Sequence, residues 1–135
     1  DMSIKYGKSQ QEIAAGYEDL VKRGYTTKQA VGALKAELQA SVASGDKFSD
    51  VTTVSSQVLD AFGMRAKSTG KMLSNTRKVV NELAYSADAT STGFGDLGTA
   101  MSYVGTAAKA NNISLAETAS ALGVLSNNGL WKLAS

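Results

Sequence analysis

The sequence contains no cysteine, no proline and no histidine in 135 residues, and it is poor in aromatics. Without cysteine there is neither a disulfide framework nor a thiolate metal site. Without histidine, a chain working near neutral pH lacks the usual tunable proton carrier. Without proline the strongest helix breaker is missing, so punctuation falls to the 13 glycines. An excess of one charge is also lacking. The formal net charge is +2, so no overall field points to nucleic acid or an acidic partner. The longest uncharged runs, Leu97 to Ala108 and Thr118 to Trp131, are too short and too polar to span a bilayer.

What is present is modest. Hydrophobic residues make up 43% of the chain, but aromatics supply only 7%, and alanine carries much of the total. Such a core is thin, because a buried alanine removes little apolar area compared with leucine or phenylalanine. The length suits one domain. The chain opens "DMSIKYG", without a basic and apolar leader, and reads as a piece of a longer polypeptide.

The pattern along the chain predicts an all-α fold of six helices. Ser9 and Glu12 have capping-box spacing, Ile13, Tyr17, Leu20 and Val21 follow on one face, and Gly24 closes the helix. Thr26 and Gln29 repeat the spacing, with Ala30, Val31, Leu34, Leu38 and Val42 as the stripe and "SGD" at 44–46 as the stop. Asp46 or Ser49 is expected to cap a third helix, with Val51, Val54, Val58, Leu59 and Phe62 inward and Gly63 after it. A fourth helix is expected from Gly70 to Ala87, carrying Met72, Thr76, Val79, Val80 and Leu83 inward. After the loop "SADATSTGFG" a fifth helix carries Leu97, Ala100, Met101, Val104 and Ala108. Asn111 and Asn112 turn the chain into a sixth, which Ser114 and Glu117 cap and Leu115, Ala119, Leu122, Leu125 and Ser126 follow. No useful length alternates with the period of a strand.

The two halves also resemble each other. A slide of about 67 residues places Ile13 on Val80, Tyr17 on Ala84, Ala33 on Ala100, Leu34 on Met101, Phe48 on Leu115 and Asp50 on Glu117. Residues 9–63 and 76–129 are therefore candidate copies of a three-helix unit within a helical domain 1–130.

Chemistry is sparse. A glycosidase would need paired carboxylates. The candidates are Glu12 with Glu18, Asp46 with Asp50, and the isolated Glu82 and Glu117. Asp46 and Asp50 sit where a carboxylate complements a helix dipole, and Glu12 and Glu117 serve capping boxes. No serine lies in a Gly-x-Ser-x-Gly elbow. The glycines of "GFGDLG", 93–98, lack both the preceding strand and the Gly-Lys-Ser/Thr of a phosphate loop, and read as a helix entry. No catalytic residue, cofactor site or metal site is expected. One basic strip stands out: Arg65, Lys67, Lys71, Arg77 and Lys78, with no acid between them. It could contact phosphate of DNA or lipid, but it has no interleaved aromatics, so a solvated face is the plainer reading. Gly98 and Gly105, among the alanines of the fifth helix, allow close helix approach.

"SIKYGKSQQEIAAGYEDLVKRGYTTKQAVGAL" (3–34), "ASGDKFSDVTTVSSQVLDAFGM" (43–64) and "STGFGDLGTAMSYVGTAAKANNISLAETASALGVLSNNGL" (91–130) together resemble the core region of phage tail tape measure proteins. The resemblance rests on an ordered set: a Tyr-Gly entry, an Ala-Phe-Gly helix end, an Asp-Leu-Gly helix start and a Ser-Leu-Ala-Glu-Thr-Ala hairpin. Thr106 stands where many members have proline, and "WKLAS", 131–135, departs from the family as a truncated or appended end. The resemblance implies a structural role in a virion tail lumen: setting tail length during assembly in the host cytoplasm, then leaving ahead of DNA. It implies the tail tube protein and tail assembly chaperones as partners, together with self-association, and only transient contact with nucleic acid or membrane. The alternatives are a DNA- or membrane-binding module using the strip at 65–78, or a fragment of a peptidoglycan hydrolase.

Overall fold

The computed structural model describes residues 1–89 and 93–127, and every described element is a helix. There are seven: α1 (Met2–Tyr6), α2 (Gln10–Lys22), α3 (Thr27–Ser44), α4 (Phe48–Ala61), α5 (Thr69–Asp88), α6 (Phe94–Ala110) and α7 (Leu115–Asn127). The all-α expectation holds, and the count of six was one short. The added α1 is a single turn with no apolar stripe to announce it. Asp1 accepts from the Ile4 amide at 3.0 Å, and Gly7 ends the turn in the left-handed region. Gly129, residues 131–135 and the Ser126 side chain lie outside the description.

The predicted capping boxes form. Ser9 Oγ accepts from the Glu12 amide at 3.1 Å, and Thr26 Oγ1 accepts from that of Gln29 at 3.2 Å. Ser114 Oγ accepts from the Glu117 amide at 3.0 Å, while Glu117 Oε1 accepts from the Ser114 amide at 3.3 Å. The start of α4 differs from expectation. Lys47 occupies its N-cap with no side-chain bond, and Asp46 is turned to another helix. The Phe94 amide, at the start of α6, donates to Asp46 Oδ2 at 3.2 Å. α6 also begins earlier than expected, since its Gly93 cap exposes an orphan amide that Asp46 satisfies from a distance.

The helices α3, α4, α5 and α6 form the centre, with α3 against α5 and α4 against α6 as its broadest contacts. α2 flanks α3 and α4, and α7 flanks α5 and α6. The inward faces of α4 and α5 are as read from the sequence: Val51, Val54, Val58, Leu59 and Phe62 are buried, as are Met72, Thr76, Val79, Val80 and Leu83. In α3 the stripe is rotated. Val31 and Val42 are exposed, and Ala33, Glu37, Ala40 and Ser41 are buried in their place. Val21 and Val104 also face outward.

Glycine sets how close α4 and α6 come. A Cβ on Gly98 would collide with Val54 Cγ1, and one on Gly105 would lie 2.8 Å from Ala61 Cβ and 2.8 Å from Phe62 Cε1. Between α3 and α5, a Cβ on Gly32 would meet Leu73 Cδ2 at 2.5 Å. At these contacts bulk on one helix is matched by a missing side chain on the other, which lets small residues pack at interior density.

Candidate functional site

The basic strip does not assemble into one face. Arg65 is used structurally: its Nε donates to Asp60 Oδ1 at 3.0 Å and its Nη2 to Asp60 Oδ2 at 3.2 Å. Its Nη1 donates to the Arg23 carbonyl at 2.6 Å, and the guanidinium lies 5.3 Å from the centre of the Tyr25 ring. It thus ties the end of α2 to the end of α4, and its hydrogen bonds to the Asp60 carboxylate hold its pKa above the ordinary value. Lys67 is exposed in the α4–α5 connection, where its carbonyl accepts from Gln29 Nε2 at 3.1 Å. Lys71 and Lys78 lie two turns apart on one side of α5, with Arg77 displaced round the helix, and all three are exposed. None of these four forms an ion pair among the described residues. They make a solvated patch.

The chemically unusual residue is one that sequence reasoning missed. Glu37, on α3, is 0% exposed, and neither carboxyl oxygen has a hydrogen-bond partner. The buried hydroxyls of Thr52, Ser55 and Ser56 on α4 also lack partners. Burial pushes the Glu37 carboxyl from its ordinary 4.5 up to about 8. Thr52 works against that shift, close enough to favour the charge yet out of hydrogen-bonding geometry; Asp19 reinforces it and Arg23 opposes it. Burial likewise raises the Tyr25 phenol, with the Ser56 hydroxyl lowering it and the Glu37 charge raising it. At neutral pH the Glu37 acid is therefore mostly protonated. The signal was positional: Glu37 falls three residues after Leu34 and seven after Ala30, on the buried stripe of α3.

A raised carboxyl pKa is what a general acid requires, but a general acid must also reach its substrate. Glu37 does not. The neighbouring cleft, of about 320 Å³, is lined by Glu12, Asp19, Phe48 and Thr52 among others. Thr52 lines that cleft and also acts on Glu37. The two carboxylates in the cleft are already engaged, Glu12 in its capping box and Asp19 with Arg23 Nε at 2.9 Å. Among the described residues no group of three or more His, Cys, Asp or Glu could hold a metal, and no helix is long and apolar enough to cross a membrane.

The arrangement is thus a helical body with close glycine seams, a sealed acid and no assembled reaction centre among the described residues. No solved structure matches the chain. The tape measure protein of Pneumococcus phage Dp-1 is 28% identical over 130 residues, covering 96% of this chain and 11% of the relative. The chain therefore spans about a ninth of that curated relative's length. The sequence profile of the phage-related minor tail proteins matches residues 1–134, all but the last residue. With that match and an all-helical fold, the chain belongs to the phage-related minor tail protein family and is related to the phage tail tape measure proteins.

Proposed function

We propose that this chain is a structural segment of a tape measure, which sets tail length during assembly and leaves the tail lumen ahead of DNA. The family match over residues 1–134 carries this reading. The tail tube protein and the tail assembly chaperones are its partners, met first in the host cytoplasm and then inside the tube. Its interior supports the conversion such a role requires. The buried core includes several alanines and valines among its leucines and phenylalanines, and opening it returns the Glu37 carboxyl to water. In the assembled tail the helices are strung end to end.

In-frame deletion within the full-length parent tests this. Each extended helical residue adds about 1.5 Å, so removing about 67 residues shortens the tail by roughly 100 Å. Helices that stay folded as hairpins cancel each other's rise, and the same deletion then shortens it by only about 25 Å. Electron micrographs of tails from deletion phages separate the two lengths, and tails of unchanged length reject a measuring role.

A further inference from the structure

The helix boundaries repeat. α1, α3 and α4 begin at Met2, Thr27 and Phe48, while α5, α6 and α7 begin at Thr69, Phe94 and Leu115, each 67 positions later. α2, α3 and α4 end at Lys22, Ser44 and Ala61, and α5, α6 and α7 end at Asp88, Ala110 and Asn127, each 66 later. On this register α1 and α2 together correspond to α5, interrupted where Gly7 takes φ 67°. Packing repeats as well. In each half the first helix packs on the second and third, and the second packs on the third.

The contact between the halves has a direction. The α3–α4 side of residues 2–61 lies on the α5–α6 side of residues 69–127, with α3 on α5 and α4 on α6. A two-fold relation would pair α4-on-α6 with α7-on-α3, and α7 does not pack extensively on α3. The interface is therefore head to tail, and such an interface is not self-complementary, so it repeats into a ring or an open filament. It leaves one equivalent of each side uncovered: α6–α7 at one end and α1–α3 at the other.

Those two ends match. At the covered junction Val54 sits on Gly98; 67 positions after Val54 stands Ala121, exposed, and 67 before Gly98 stands Val31, 37% exposed. The large residue has changed sides, so the pair Ala121 and Val31 fills a junction of similar volume. Leu73 sits on Gly32 in the covered junction, and the corresponding pair is Tyr6 with Thr99, neither of them buried. Between α6 and α7 runs a groove lined by Val104, Ala107, Ile113, Ala121 and Leu122. Its counterparts at Glu37, Ala40, Val54 and Ser55 are all buried in the first half, and Asp46, the counterpart of Ile113, receives the Phe94 amide there. Tyr103, on the uncovered side of α6, is 83% exposed.

We infer that residues 2–61 and 69–127 are two copies of one three-helix unit, and that the α6–α7 side binds the α1–α3 side of a second copy of this chain. The second chain repeats the internal junction, with Ala121 of one copy against Val31 of the next and Thr99 against Tyr6. This concerns the folded chain, and it stands or falls separately from the measuring role.

The absence of cysteine gives a clean test, since introduced thiols have no competitor. Ala121→Cys and Val31→Cys chains are mixed and oxidised with diamide, each variant first checked for an unchanged helical spectrum. Docking holds the two thiols together, so mixed dimers should form about tenfold faster than dimers of either variant alone. A chain carrying both substitutions should give a ladder of dimers, trimers and longer species on a non-reducing gel. If Val31→Cys fails to fold, Thr99→Cys with Tyr6→Cys takes its place with the same expectation. Ala121→Cys chains that cross-link to themselves as fast as to Val31→Cys would overturn the head-to-tail arrangement. A mixture no faster than Ala121→Cys with Tyr85→Cys, an exposed position on α5, would overturn the docking itself.

Discussion

Against α6, α4 presents Val54, Ala61 and Phe62 to bare backbone at Gly98 and Gly105. On its other side it contributes Thr52 and Ser56 to the space around Glu37 and Tyr25, where none of the three buried α4 hydroxyls has a partner. The first seam is dry, close and fully used. The second encloses polar groups that lose water and regain little, and each such group costs about 1–3 kcal/mol. One helix therefore joins a seam that holds the body together to a seam where it is inclined to part. The α4–α6 seam should persist longest when the chain is stressed, and the α3–α4 seam should part first.

The strongest way to break that contrast is pH. Glu37 binds its proton more tightly in the folded chain than in the unfolded one, so stability is fully present below about 4.5 and is lost as pH rises towards about 8. The loss should reach roughly 4 kcal/mol between about pH 5 and about pH 9. Glu37→Gln, which keeps the shape without the charge, should flatten the profile and raise the melting temperature most in alkaline buffer. A wild-type profile that is already flat would remove Glu37 as the weak point.

Next in size is the dry seam. Gly98→Val forces α6 away from Val54 and should cost about 3 kcal/mol in urea unfolding, although leaving glycine gains helix propensity. Adding Val54→Ala should recover part of the loss, because the clash is with that one side chain. Equal stability for Gly98→Val and wild type would mean that the seam is looser than its geometry.

A smaller change calibrates both. Ser114→Ala removes a capping hydroxyl from α7, far from either face of α4, and should cost about 1 kcal/mol at every pH. Glu117→Gln should cost less, since glutamine still reaches the Ser114 amide. A cost that varied with pH in step with the wild-type profile would show that the profile does not belong to the α3–α4 seam.

The smallest effect is expected on the surface. Lys67, Lys71, Arg77 and Lys78 changed together to glutamine should move stability by no more than about 0.5 kcal/mol. Arg65→Gln alone should cost about 1 kcal/mol, because it loses Asp60 and the Tyr25 ring. A large loss of DNA or liposome binding from the fourfold variant, measured at physiological salt, would make the solvated patch a phosphate site.

Much of the backbone was legible because its signals are local. Capping boxes at Ser9, Thr26 and Ser114, and glycine stops at Gly24, Gly45 and Gly63, need only a few neighbouring residues to be read. The inward faces of α4 and α5 follow from a single period with strongly apolar residues. α3 was misread because its apolar residues do not mark its buried face: Val31 and Val42 point out while Glu37 and Ser41 point in. Residue type outweighed position there, although position was right. Asp46 was assigned to its own helix because the donor it serves lies 48 residues away, and no local pattern carries that. The engagement of Arg65 was hidden for a related reason, since the Asp60 and Tyr25 that absorb it stand outside the basic stretch itself.

The reach of Asp46 also bears on the order in which the body comes together. The cap that satisfies the first amide of α6 is supplied by the turn between α3 and α4. Until that turn is in place, Phe94 has neither its hydrogen bond nor its fully buried site. α2, α3 and α7 carry their own start signals within three residues, whereas the first amide of α6 is capped from a distance. As the chain leaves the ribosome, the α3–α4 turn is made before α6, so the template precedes the element that needs it. Refolding from denaturant has no such sequence of events. In refolding, α6 draws its cap from a turn that must form separately.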